Sequence, residues 1–219
     1  MAIYRPGQMG SFNGKMGEVV VNRWRQLWVG KSAPRPSSVA ATETQKSQRS
    51  KFGLATGFLS SIATIIAIGF KATKANNSPM NAAVSYHIAR AITGVFPDFE
   101  VDYPSVVISL PSGKNEISMV ESLEAESQAG HLINVTWVAN EYALPLTSDT
   151  DQAYFMFYNV NKERYLILSE VGPRTALTVD AALPRAFVGD KVHGYLMFVS
   201  KDKKFVTRTE YLGLHTVLA

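Results

Sequence analysis

Trp24 and Trp28, interleaved with Arg23, Arg25 and Lys31, are the residues of this sequence best suited to recognition chemistry. Indole faces stack on bases or bury in a neighbouring protein, while guanidinium and ammonium groups pair with phosphate or carboxylate. Two classes of partner follow: a protein surface, copies of the same chain included, or nucleic acid held without sequence preference. No recognised nucleic-acid-binding motif surrounds these residues, so a protein surface is the leading expectation and nucleic acid the alternative.

Other residues that could do chemistry fall short on spacing. Gly10-Ser11-Phe12-Asn13-Gly14-Lys15 has the composition of a phosphate-binding loop, but its glycines are one residue too close, and Met16 stands where a magnesium-binding Ser or Thr belongs. His87, His131, His193 and His215 are scattered, with no i, i+4 pair and no acid at metal-ligand spacing. The chain has no cysteine, which excludes disulfides and thiolate chemistry, and it has no Gly-x-Ser-x-Gly elbow. Glu121, Glu124 and Glu126, and then Asp149 and Asp151, cluster among polar residues and are read as a solvated acidic surface. No catalytic, cofactor-binding or metal-ligating residue is assigned, and a non-enzymatic protein is expected.

Charge is divided along the chain. Residues 1–75 hold eleven Lys and Arg against Glu18 and Glu43, a net +9, whereas the remainder is net −5. That division fits a basic front binding a polyanion or the acidic part of a neighbour. Hydrophobic residues at 46% and charged residues at 18% are ordinary for a folded chain.

The elements that must carry these residues begin with a predicted hairpin of two strands, Glu18 to Arg23 and Leu27 to Lys31. Pro34 and Pro36 then favour an extended arm. Thr42-Glu43-Thr44-Gln45 is a capping box, and the spacing predicts one helix running from there to Gly69. Along that helix Ala55, Phe58, Leu59, Ile62 and Ile66 form an apolar stripe beside a small-residue stripe of Gly53, Gly57, Ser60, Ser61 and Thr64. Gly53, Gly57, Phe58, Ser61 and Ile62 therefore join the hairpin residues as a candidate subunit interface.

Phe52 to Phe70 contains no charge, long enough to be tested as a membrane span. Seven of its positions are Gly, Ser or Thr, so a packed helix is the preferred reading and membrane contact is not expected. Ser78-Pro79 opens a second helix that Gly94 can close. Seven strands follow: Ile117 to Glu121, Leu132 to Val138, Tyr154 to Val160, Tyr165 to Leu168, Ala176 to Val179, Val192 to Val199 and Phe205 to Leu212. The fold class expected is α+β, with an N-terminal hairpin arm, a long helix, a short second helix and a seven-stranded antiparallel sandwich of immunoglobulin or fibronectin type III kind. The expected divisions are 1–41 for the arm, 42–94 for the helices, 95–116 for an extended connection and 117–219 for the sandwich.

The runs Gly14-Lys15-Met16-Gly17-Glu18-Val19-Val20, Trp24-Arg25, Thr42-Glu43-x-Gln45, Gln48-Arg49-x-Lys51-Phe52 and Ile68-Gly69-Phe70 carry a resemblance, continued by Asn81 to Tyr86, Ala91 to Gly94 and Phe96 to Tyr103. Together they resemble an uncharacterised family of Bacteroidota proteins known only as a domain of unknown function. The resemblance implies a bacterial or bacteriophage source and carries over no activity. With no Sec-type signal at the start, a cytoplasmic location or one within an assembled particle is expected. The reading as a whole is a non-catalytic assembly subunit whose basic front docks on the acidic sandwich of the next copy.

Overall fold

Every pairing between strands is antiparallel in the computed structural model, which describes residues 2–5, 10–24, 27–35, 38–70, 77–111 and 115–219. The chain divides into two compact units, Met1–Gln45 and Lys46–Ala219.

The first unit builds on the predicted hairpin. Strands β1 (Ala2–Tyr4), β2 (Gly14–Met16), β3 (Val19–Trp24) and β4 (Leu27–Ser32) form one sheet in the order β1-β4-β3-β2. A two-residue loop joins β2 to β3, and Gly17 takes the φ of +59° that it requires. Among the described residues of this unit, Val21 alone is buried.

The helix predicted to be continuous is broken. Its start is the reciprocal cap, with Gln45 N–H donating to Thr42 Oγ1 at 3.3 Å and Thr42 N–H to Gln45 Oε1 at 3.2 Å. Helix α1 (Glu43–Ser60) then ends, and α2 (Ala63–Gly69) leaves it at 92°. The cause is local. Gly57, Ser60 and Ser61 are weak helix formers, and Ser60 Oγ donates back to Gly57 O at 3.0 Å. Turning the chain there sends Ile62, Ile65 and Ile66 together into the core. No single helix among the described residues is long and apolar enough to cross a membrane.

Helix α3 (Pro79–Arg90) opens as predicted, with Ser78 Oγ accepting from Asn81 N–H at 3.1 Å and Pro79 in the first turn. Gly94 is not its cap. The chain passes straight into a hairpin of β5 (Ile92–Val95) and β6 (Asp98–Val101), where a Cβ on Gly94 would lie 2.3 Å from Asp98 O. Residues expected to be a bridging extension are instead core: Val106, Ile108 and Ser109 are buried, and the N–H groups of Ile108 and Ser109 donate to Thr209 Oγ1 at 2.9 and 2.7 Å.

Seven strands complete the unit: β7 (Glu121–Gln128), β8 (Leu132–Val138), β9 (Gln152–Asn159), β10 (Arg164–Leu168), β11 (Thr178–Ala182), β12 (Lys191–Val199) and β13 (Glu210–Thr216). They form a four-stranded sheet, β10-β9-β12-β13, and a separate three-stranded sheet, β11-β8-β7. Three predicted spans are corrected. Ile117 to Val120 is irregular, and the first strand begins at Glu121, where the predicted one ended, and runs through the acidic stretch to Gln128. Its alternation places Leu123, Ala125 and Ser127 inward of Glu124, Glu126 and Gln128. Ala176 to Val179 shifts to Thr178–Ala182, and Phe205 to Leu212 shifts to Glu210–Thr216.

The four-stranded sheet is buried on both faces. Tyr154, Met156, Tyr195 and Met197 pack against Leu59, Ile62, Ile65, Ile66 and Val84 of the helices. The alternate residues Phe155, Phe157, Leu196 and Phe198 pack against Ile133, Val135 and Trp137 of the other sheet. Two-sided burial is why β9 and β12 read as continuous apolar runs.

Candidate functional site

The hairpin residues do not form one patch. In the β3–β4 register Arg23 faces Trp28 and Trp24 faces Leu27. Directly paired residues share a face and neighbours along a strand alternate, so Trp24 and Trp28 lie on opposite faces of the sheet. The Arg23 guanidinium sits 5.8 Å from the centre of the Trp28 ring, a cation–π contact. Lys31 pairs through Val20 with Lys15 on the Trp24 face. Each face therefore carries one indole and its own cations. Arg25 lies outside the described residues.

The helix residues separate differently. Ile62 is 1% exposed and belongs to the core, so its place in the candidate interface is withdrawn. Gly53, Gly57, Phe58 and Ser61 line one groove of about 830 Å³, with Phe99, Glu100 and Val101 from β6, Tyr103, and Tyr158, Glu163 and Tyr165 from the β9–β10 hairpin. The glycines form an open floor, since a Cβ on Gly53 or Gly57 would meet nothing within 4 Å.

The back wall of the groove is a run of rings. Phe58 meets Tyr158 edge-on at 5.2 Å, Tyr158 stacks on Tyr103 at 5.3 Å, and Tyr103 stacks on His193 at 4.4 Å and 22°. Behind them His193 Nδ1 is 2.7 Å from the Tyr211 hydroxyl, and Tyr195 donates its hydroxyl to Tyr103 O at 2.8 Å. Burial pushes the Tyr158 phenol up, with Tyr103 beside it adding to the effect, so its hydroxyl keeps its proton. Burial likewise lowers the pKa of His193, leaving a neutral ring. Glu100 and Glu163 stand exposed on the groove, and neither enters an ion pair with another described residue. Aromatic faces beside two free carboxylates suit an extended apolar chain that bears a cation. No pattern in the sequence links Tyr103 to Tyr158, Glu163 and Tyr165, because Tyr103 and the β9–β10 hairpin are distant segments that share no motif.

A second polar group corrects the reading of Asp151 as surface acid. It is fully buried and lies 3.5 Å from Arg174. Glu121, Glu124 and Glu126 are exposed as expected. Among the described residues no group of three or more His, Cys, Asp or Glu could hold a metal ion.

A search of curated proteins finds no match to this chain. A family model matches residues 11–213, almost the whole length of the chain. The chain belongs to the family of unknown function DUF6266.

Proposed function

We propose that this protein is a non-catalytic structural subunit that assembles with copies of itself through its N-terminal sheet, its arm and helix α1. The observation that carries this reading is the lack of a core in the first unit. Met1–Gln45 forms four strands, yet among its described residues only Val21 is buried, and Ile3, Met16 and Val19 are 64%, 64% and 45% exposed. A sheet needs an apolar face covered to be stable, and a chain of about 40 residues rarely supplies that cover itself. Exposed apolar side chains on both faces are what a subunit interface leaves behind when its partners are removed.

The seven strands of the second unit are read as an immunoglobulin-like or fibronectin type III-like sandwich serving as scaffold. Three strands pack across a shared core from four, and the chain changes sheet between β8 and β9, β10 and β11, and β11 and β12, as that architecture requires. The test is the mass of the full-length protein in solution over a range of concentrations, together with electron microscopy. Species larger than a 24.0 kDa monomer are expected, and a monomer at every concentration would sink the reading.

Nucleic acid is the second reading, favoured by Arg23 over Trp28 on one face and Lys15 with Lys31 on the other. It predicts binding of a single-stranded oligonucleotide that weakens steeply as salt rises. Salt-insensitive or absent binding would remove it.

A further inference from the structure

We infer that the groove on α1 receives the Pro34-Arg35 arm of a second copy, so that each subunit offers an arm and accepts one. This rests on the assembly reading and gives it a site. At about 830 Å³ the groove lies within the ~300–1,000 Å³ range of pockets that enclose a ligand, room for a few residues of extended chain and too little for a folded face.

The arm has the matching chemistry. Pro34 and Pro36 flank Arg35, and proline fixes its own φ while pushing the residue before it toward the extended polyproline region. Such segments dock in grooves lined by aromatic rings because little chain entropy remains to be lost. Phe58, Tyr103, Tyr158 and Tyr165 supply the rings. Glu100 and Glu163 supply carboxylates for the guanidinium of Arg35. Charge favours this occupant again at the level of the unit, since residues 1–45 hold six Lys and Arg against two Glu. Arg35 already pairs with Glu18 at 2.7 Å, but both side chains are at least 80% exposed, where water competes and exchange for a better-enclosed carboxylate is easy.

Gly57→Leu is the deciding variant. The position is mid-helix with open space above it, so leucine suits the fold and fills the groove floor. The full-length G57L protein should melt at or above the wild-type temperature yet lose at least tenfold in self-association by sedimentation velocity. Arg35→Glu should lose as much, and an equimolar mixture of the two variants should form a heterodimer, because one retains an intact arm and the other an intact groove. If the wild type associates and both variants do so equally well, the groove is the wrong site while the assembly reading stands. If both variants are weakened but their mixture yields no heterodimer, docking in trans is overturned. A wild type that is monomeric throughout overturns both readings.

Discussion

Asp151 and Arg174 form an ion pair, Oδ2 to Nη2 at 3.5 Å, with both side chains buried and only 1% and 5% exposed. The same guanidinium donates to Ser118 O at 2.7 Å and lies 4.6 Å from the centre of the Phe198 ring. Asp151 Oδ1 and Arg174 Nε and Nη1 have no protein partner, a polar site of the kind buried water fills. Removing one member leaves the other charge buried and uncompensated. Asp151→Ala should cost about 3–5 kcal/mol in urea denaturation, and Asp151→Ala combined with Arg174→Met should recover much of that loss. A double variant no more stable than the single one would refute the ion-pair account.

His87 ties α3 to the buried strand-like segment after β6. Its Nδ1 is 2.7 Å from Ala83 O, and its Nε2 accepts the Val107 N–H at 3.2 Å, an arrangement that needs a neutral ring donating from Nδ1. Burial lowers its pKa below the usual 6.5, and burial lowers that of His193 too. A depressed folded pKa means that the unfolded chain takes the proton first. Stability is therefore full above about pH 6.5 and falls as the pH drops below it, by up to ~1.4 kcal/mol per pH unit for each histidine. Denaturation curves between pH 7.5 and about 5 should show that decline, and His87→Gln should reduce its slope.

Two glycines predict opposite signs for one substitution. A Cβ on Gly69 would lie 2.0 Å from Ile108 O and 2.7 Å from Ser109 Cα, so Gly69→Ala forces backbone apart and should destabilise by roughly 1–3 kcal/mol. Gly53 has open space, and Gly53→Ala should stabilise by up to about 1 kcal/mol. Thermal melts of the two variants, shifted in opposite directions, are the check.

Trp24 and Trp28 occupy opposite faces, so in the assembly proposed for the N-terminal sheet their contributions should be independent. Association constants for Trp24→Ala, Trp28→Ala and the double variant should add within about 0.5 kcal/mol. Coupling well beyond that would mean that both indoles enter one interface.

Much of the fold is legible wherever the signal is short in range. The cap of Thr42 and Gln45, the opening of α3 at Ser78-Pro79 and the alternation of Ile133, Val135 and Trp137 each depend on residues a few positions apart. Strand β7 escaped because its inward positions are Leu123, Ala125 and Ser127, too small and polar to mark a buried face. The groove escaped for a different reason. Gly53, Gly57, Phe58 and Ser61 stand out as a helix stripe, but the rings and carboxylates opposite them come from β6, Tyr103 and the β9–β10 hairpin.

The α+β class, the hairpin and both helix starts follow from the residues alone, because propensity, capping and alternation act between near neighbours, and the charge division follows from composition. Tertiary structure alone decided the two-sided burial of the central sheet, the burial of Ile62 in the core and the burial of Asp151 with Arg174. Those outcomes depend on which distant segments cover a residue. The same Ile or Asp is surface or core according to whether a second layer packs over it.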